Sequence, residues 1–166
     1  MKNLWSPWRS EYIESFKNEN DKSECIFCSN AKLDENDSAN LLVKKSELTF
    51  SMLNLYPYNN GHLMVIPYKH TGEITDLTED ESLEIMNEIK SLKEALTEIY
   101  KPHGFNIGVN IGRISGAGIY DHIHFHIVPR WSGDTNFMPV ITETKVVSES
   151  LEKTWEKLKK GFEKIK

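Results

Sequence analysis

The sequence predicts an α+β protein with a mainly antiparallel five-stranded sheet, one long central helix and a helix near its C-terminal end. Three observations support this prediction: short apolar runs separated by turn residues, one strongly periodic helical segment between them, and an amphipathic tail. Strands both precede and follow the central helix, which favours α+β over repeated βαβ units. The length of 166 residues predicts a single domain spanning residues 1–166.

The first segment, residues 1–24, is an aromatic N-terminal extension. It contains Trp5, Trp8, Tyr12 and Phe16 among polar residues, which is too aromatic for the usual composition of a disordered tail. We expect it to pack on the domain or on a partner subunit.

Three short strands are predicted before the central helix, at residues 41–43, 49–53 and 62–66. The last two are separated by the sequence Tyr-Pro-Tyr-Asn-Asn-Gly, which has strong turn chemistry. Two more strands, at 105–111 and 122–128, follow the helix. The loop between them, 112–118, contains three glycines, which allow backbone amides to approach a ligand closely.

Both predicted helices have a clear apolar face. Thr78 and Glu81 form a capping-box pattern, after which apolar residues recur at spacings of three and four through Tyr100. The tail at residues 148–164 reads as an amphipathic helix with lysines on its outer face.

His122, His124 and His126 alternate with apolar residues in the predicted fifth strand. Successive strand residues point to opposite faces, so the three imidazoles would share one face and the apolar residues between them the other. Neighbouring rings would lie roughly 6.5 Å apart along the strand. Such a row could bind one metal ion or one small anion.

Two chemistries remain open for this row of histidines. Neutral imidazole is the commonest metal ligand, so His-x-His could supply ligands to a catalytic zinc in a metallohydrolase. An imidazole with a pKa near 6.5 is also largely neutral at pH 7 and can attack phosphorus directly.

The composition excludes several classes of partner. A net charge of -5 and a pI of about 5.7 argue against a general phosphate-backbone binder, so no nucleic-acid partner is expected. The apolar runs are far shorter than the ~20 residues that cross a bilayer, and no signal-peptide pattern is present. We therefore expect a cytoplasmic protein with no membrane partner. In that reducing compartment, the C-x-x-C pair Cys25 and Cys28 suggests metal or redox use more than a disulfide.

The run His-Ile-His-Phe-His-Ile-Val followed by Pro129 and Arg130 resembles the histidine triad (HIT) superfamily. Segment 54–62 looks like the part of these proteins that forms the nucleoside pocket. Segments 102–106, 129–131 and 133–137 are similar to the branch that contains bacterial diadenosine tetraphosphate phosphorylases and Fhit-like proteins. The resemblance extends from Trp5 to Ile141 and implies a HIT-like fold for this domain.

The resemblance also implies a role for each histidine. His124 would be the nucleophile that attacks an α-phosphate and becomes transiently nucleotidylated. His126 would contact phosphate oxygens and assist the leaving group, and His122 would orient its neighbours or bind metal. The nucleotide-binding residues implied by the resemblance are Asn54, His62, Asn110, Gly112, Gly116 and Gly118.

The activity implied is cleavage of a dinucleoside polyphosphate such as diadenosine tetraphosphate at the α-phosphate. Many hydrolytic members carry glutamine where this chain has Gly118. Either the site relies on backbone amides instead, or the vacated space admits inorganic phosphate as the acceptor. The phosphorylase-like segments favour the second alternative, hence phosphorolysis. The alternatives are a hydrolytic HIT enzyme, either a dinucleoside polyphosphate hydrolase or a nucleoside phosphoramidase, and a nucleotide-binding signalling module without fast turnover. A homodimer or higher homo-oligomer is typical of the superfamily.

The resemblance gives the cysteine pair a specific role. In several histidine triad proteins such a pair binds zinc together with two histidines that match His70 and His122. Two thiolates and two imidazoles form a closed tetrahedral site, which is structural rather than catalytic. Magnesium is expected only with the polyphosphate substrate, whose oxygens it would neutralise.

Overall fold

The computed structural model of the chain describes residues 25–135 and 147–165. The expected aromatic extension at residues 1–24 therefore lies outside the described residues. The helices and strands, in chain order, are α1 (Ile26–Asn30), β1 (Leu42–Lys45), β2 (Thr49–Leu53), β3 (Leu63–Pro67), α2 (Glu79–Tyr100), β4 (Gly104–Val109), β5 (Phe125–Arg130) and α3 (Leu151–Ile165).

The five strands form one sheet in the order β1-β2-β3-β5-β4, and every neighbouring pair is antiparallel. The long connection through α2 joins β3 to β4, which are not neighbours in the sheet. The last strand, β5, lies between them. The predicted α+β class, with a five-stranded antiparallel sheet and one long central helix, is confirmed.

The central helix begins where the capping pattern predicts. The Thr78 hydroxyl accepts a hydrogen bond from the Glu81 amide, and the Glu81 carboxylate accepts one from the Thr78 amide. The helix ends before Lys101, which has a left-handed φ of 46°. No helix among the described residues is long and apolar enough to cross a membrane.

The two long helices cover one face of the sheet. Leu92 and Leu96 of α2, Leu158 of α3, and Leu63 and Val65 of β3 belong to one core cluster, and each of these residues is completely buried. This core leaves the opposite face of the sheet available for other contacts.

The short helix α1 packs on that opposite face. Phe27 of α1 is 3% exposed and belongs to a second cluster with Phe50 and Met52 of β2 and Met64 and Ile66 of β3. A five-residue helix has little stability of its own, so tertiary contacts such as those of Phe27 hold it in place.

The predicted strand at residues 122–128 is wrong at its start, because β5 begins at Phe125. Its pairing with β3 ends at Val65 opposite Phe125, and two residues later β3 ends at Pro67, which has no amide to donate. The residues before β5 bond elsewhere, since the Ile123 amide donates to the Thr71 carbonyl at 2.6 Å. His122 and His124 therefore lie just before β5, and His126 is its second residue.

Candidate functional site

A cavity of about 290 Å³ opens on the sheet face that α1 partly covers. Met52 and Met64, which pair across β2 and β3, line it together with Ile26 and Phe27 of α1. The cavity is also lined by Asn30, Asn54, Tyr56, Tyr58, Asn110, Gly116, Gly118, His124 and His126. The α1 side of the cavity is therefore mainly apolar, with Asn30 as its polar residue, whereas the histidines lie on a polar side.

The ring of His124 has a defined proton position. Its Nδ1 lies 2.9 Å from the backbone carbonyl oxygen of His122. A carbonyl oxygen only accepts hydrogen bonds, so Nδ1 carries the proton and donates it. The lone pair of the neutral ring is therefore on Nε2, which is the atom available for nucleophilic attack.

The ring of His126 is oriented by a chain of two hydrogen bonds. The Tyr58 amide donates to Nδ1 of His62 at 3.1 Å, which places the proton of neutral His62 on Nε2. That Nε2 lies 3.0 Å from Nδ1 of His126 and donates to it. Because Nδ1 of His126 accepts, the proton of this ring is on Nε2, where it can be donated to an oxygen.

Burial keeps the surrounding imidazoles neutral. Desolvation by burial, followed by the nearby His126 and His124, lowers the pKa of His62 to about 3. Burial likewise lowers the pKa of His124, although the hydrogen bond to the His122 carbonyl acts in the opposite direction. The ring centroids of His124 and His126 are 4.9 Å apart, so a neutral imidazole with a lone pair on Nε2 lies directly beside a hydrogen-bond donor.

His122 faces away from this pair, toward the cysteines. Its Nε2 donates to the Pro67 carbonyl at 2.9 Å, which leaves the lone pair on Nδ1. That Nδ1 lies 3.3 Å from Sγ of Cys25 and 3.6 Å from Sγ of Cys28. Nδ1 of His70 lies 3.3 Å from the same Cys28 sulfur.

These four residues are placed to bind a metal ion, because their ligand atoms all lie within 4.8 Å of one another. Ligand atoms of a tetrahedral zinc site lie roughly 3.3–3.8 Å apart, given Zn–S and Zn–N bonds of about 2.3 and 2.0 Å. The sulfur–nitrogen contacts match that range. The hydrogen bond from Nε2 of His122 to the Pro67 carbonyl leaves Nδ1 facing the cysteines, as expected for a metal-binding histidine.

The structure separates the nucleotide-binding residues expected from the resemblance into two groups. Asn54, Asn110, Gly116 and Gly118 line the cavity with His124 and His126. Asn54 also stabilises its own turn, because its Oδ1 accepts from the Tyr56 amide at 2.9 Å. The remaining two, His62 and Gly112, are not among the lining residues. His62 is fully buried and contacts His126 instead.

Three residues near the site were not identified from the sequence. Tyr58 orients His62 through its amide and stacks on the His62 ring at 4.8 Å. The Phe27 ring lies 4.9 Å from the His124 ring, and Gly72 lies against the backbone of Tyr120. Two sequence signals were available: Phe27 lies between the two cysteines of the expected metal-binding pair, and Tyr58 lies within segment 54–62.

The sheet topology, the cavity and the different hydrogen-bond partners of the three imidazoles define a histidine triad protein. The chain belongs to the HIT domain family, whose family model matches residues 35–133.

Known relatives agree with this assignment. The chain is 37% identical over 159 residues to an AP-4-A phosphorylase of Mycobacterium tuberculosis, an alignment that covers 93% of this chain and 80% of the relative. A protein of Sulfolobus tokodaii described as a hypothetical histidine triad nucleotide-binding protein superposes with a TM-score of 0.67 at 29% identity, covering 85% of this chain and 93% of that one.

A zinc-bound histidine triad family protein of Mycobacterium smegmatis superposes with a TM-score of 0.66. It is 23% identical, and the alignment covers 86% of this chain and 95% of that one. This likeness establishes the shared fold.

Proposed function

We propose that the protein cleaves dinucleoside polyphosphates, of the diadenosine tetraphosphate type, at the α-phosphate through a covalent nucleotidyl-His124. The observation that carries the proposal is the hydrogen bond from His124 Nδ1 to the His122 carbonyl, which leaves the Nε2 lone pair for attack. The similarity to an AP-4-A phosphorylase over most of both chains supports the choice of substrate.

In the first step, Nε2 of His124 forms a bond to the α-phosphorus while the bond from phosphorus to the bridging oxygen breaks. A nucleoside polyphosphate leaves with that bonding electron pair. The Nε2 proton of His126, whose Nδ1 accepts from His62, would stabilise the negative charge on the departing oxygen. The apolar α1 side of the cavity would hold the base, and Asn54 would contact the ribose.

In the second step, an acceptor oxygen attacks the same phosphorus and the bond to His124 breaks, which regenerates the neutral imidazole. With inorganic phosphate as acceptor, an adenylyl group becomes ADP. Gly118 lines the cavity without a side chain, and this supports room for phosphate where many hydrolytic relatives carry glutamine.

The deciding experiment incubates diadenosine tetraphosphate with the protein, with and without inorganic phosphate, and identifies the products. Phosphorolysis predicts ATP and ADP only when phosphate is present. ATP and AMP in both reactions would instead establish the hydrolytic alternative. Absence of cleavage in both would overturn the proposed substrate.

A variant at His124 separates an enzyme from a nucleotide-binding module. His124→Asn should lower turnover by roughly a thousandfold or more because it removes the nucleophile, while AMP affinity changes only a few-fold. His103→Asn is the matched control, because His103 is an exposed histidine outside the cavity. Slow turnover in the wild type that is unchanged by His124→Asn would favour a signalling module.

We propose zinc as the metal held by Cys25, Cys28, His70 and His122. Two sulfur and two nitrogen ligands suit a closed tetrahedral zinc site. Such an ion would supply structural stability by joining α1 to the triad segment. Both cysteines must remain thiols to bind a metal, and a reducing compartment keeps them so. The proposed zinc site therefore supports the cytosolic location expected from the sequence.

We propose that magnesium enters only with the substrate's phosphates. Among the described residues, the cluster able to hold a metal is the sulfur–nitrogen one, and magnesium prefers oxygen ligands. The partner proposed is therefore an adenine nucleotide or dinucleoside polyphosphate with its bound cation. The net charge of -5 supports the expectation that nucleic acid is not a partner.

We propose that two copies associate through β4. This strand lies at the edge of the sheet, and Ile107 on it is 48% exposed. An exposed edge with an apolar residue favours pairing with a second chain. Ile107→Lys should convert a dimer into a monomer in light scattering, whereas a monomeric wild type would overturn this part of the proposal.

A further inference from the structure

The wall of the nucleotide cavity and the metal site are built from the same turn of chain. Cys25 and Cys28 supply two metal ligands, while Ile26 and Phe27, the two residues between them, line the cavity. Asn30, at the end of the same helix α1, lines it as well.

Phe27 connects the two sites directly. Its ring lies 5.5 Å from the ring of the metal ligand His122, edge to face, and 4.9 Å from the ring of His124. The side chain is 3% exposed, so its position is set by these rings and by the second core cluster. A shift of α1 would therefore move a group that touches the proposed nucleophile.

A second connection runs through the backbone. The carbonyl oxygen of His122 accepts the hydrogen bond that determines the tautomer of His124, and the ring of the same residue faces both cysteines. Fixing the His122 ring to a metal also restrains its backbone carbonyl, and with it the direction of the His124 ring.

The helix that carries the cavity wall depends on such restraint. α1 has five residues, and no side chain caps its N-terminus at Cys25. A helix of this length is marginal by itself, so loss of a metal removes two of its attachments. Without metal, a ligand of the cavity would have to order α1 as it binds, and the free energy spent on this ordering weakens the ligand's affinity.

We propose that the metal site and the nucleotide cavity are energetically coupled through Phe27, so that bound metal raises nucleotide affinity and bound nucleotide raises metal affinity. Phe27 is in this view a positioning residue, acting on the base and on His124. The inference rests on the proposed function only in taking a nucleotide as the ligand of the cavity. Linkage requires both affinities to change by one factor.

The test measures two equilibria with zinc and AMP as probes. AMP binding is titrated by calorimetry to zinc-loaded and to zinc-stripped protein, and zinc binding is measured by equilibrium competition with a chelator, with and without saturating AMP. We expect AMP to bind about tenfold more tightly when zinc is present, within the usual range of coupling. Zinc affinity should rise by the same factor when AMP is present.

Variants separate coupling from loss of folding. His70→Ala removes an exposed ligand that does not line the cavity, and it should weaken AMP binding as stripping does. His103→Ala is the matched control and should change neither affinity. Phe27→Leu keeps an apolar side chain and both thiols, so it should still bind zinc but show less than half of the wild-type coupling factor. If stripped protein unfolds, AMP raises zinc affinity simply by binding the folded form, and the smaller coupling factor expected for Phe27→Leu then distinguishes coupling through Phe27 from coupling to folding.

The outcomes distinguish this inference from the proposed function. Equal zinc affinity with and without saturating AMP would overturn the coupling, as would a full coupling factor in Phe27→Leu. Failure of AMP to bind the zinc-loaded wild type would instead contradict the nucleotide-binding function. A wild type that does not bind zinc would also overturn the coupling, while leaving cleavage at His124 to its own test.

Discussion

Nε2 of His62 lies 3.0 Å from Nδ1 of His126, and this contact determines which nitrogen of His126 holds the proton. The Tyr58 amide holds His62 in the donating tautomer from the other side. The proton position on His126 thus depends on a residue that does not line the cavity.

Replacement of His62 tests this dependence. His62→Phe removes the donor to His126 and should lower kcat by roughly a hundredfold, the lower end of the range for general acid catalysis. His62→Gln retains an amide donor and should recover part of that loss. Steady-state kinetics on diadenosine tetraphosphate provide the measurement, and equal kcat values for wild type and His62→Phe would contradict the relay.

The buried His62 should also make the protein sensitive to acid. Its pKa in the folded protein is about 3, below the ordinary value of 6.5, so the unfolded chain binds the proton more readily between these values. Stability should therefore fall as the pH drops from about 6.5 toward 3, at up to roughly 1.4 kcal/mol per pH unit. Urea unfolding at several pH values measures the slope, which should be shallower in His62→Gln at matched zinc occupancy.

Gly72 should prove necessary for the metal site. A Cβ there would lie 2.5 Å from the carbonyl oxygen of Tyr120, so Gly72→Ala must separate the chain around His70 from the chain around His122. Zinc affinity in a chelator competition should fall about tenfold, comparable to the loss of a hydrogen-bond partner that orients a metal ligand. Gly104→Ala is the control, because a Cβ there meets no atom within 4 Å, and an equal loss in both variants would refute the explanation.

Glu149 should stabilise the junction between α2 and α3. Its carboxylate accepts hydrogen bonds from the Tyr100 hydroxyl at 2.6 Å and the Thr154 hydroxyl at 3.2 Å, and it also pairs with Lys157. Its side chain is 9% exposed. Glu149→Gln should lower the free energy of unfolding at pH 7 by about 1–2 kcal/mol in urea titrations.

The same junction predicts a pH dependence. Burial raises the pKa of Glu149, but hydrogen bonds from Lys157 and Tyr100 outweigh it, so the pKa lies below its ordinary value of 4.5. A lowered carboxyl pKa stabilises the fold above the unfolded value and loses this effect as the pH falls through the folded value. The difference between wild type and Glu149→Gln should therefore shrink below pH 4.5, and a constant difference would assign it to packing alone.

Local sequence patterns were sufficient to predict much of the fold. The capping box at Thr78 and Glu81 placed the start of α2 correctly, because both of its hydrogen bonds form within one turn. The strand at residues 49–53 was placed to the residue, since its ends are marked by turn residues. The start of β5 was misplaced because alternating histidines and apolar residues indicate only an extended chain. Strand pairing also requires a neighbouring strand, and β3 pairs with β5 no further than Phe125.

By itself, the sequence determined the five strands and the two long helices, but not α1 or the start of β5. It also determined the alternation of the three histidines and, through the family resemblance, the four residues that the structure places around one metal site. The tertiary structure decided which nitrogen of each ring has the proton. Those positions depend on the Tyr58 amide and on the carbonyls of Pro67 and His122. A tautomer follows from the partner that a ring meets after folding, and spacing along the chain does not specify that partner.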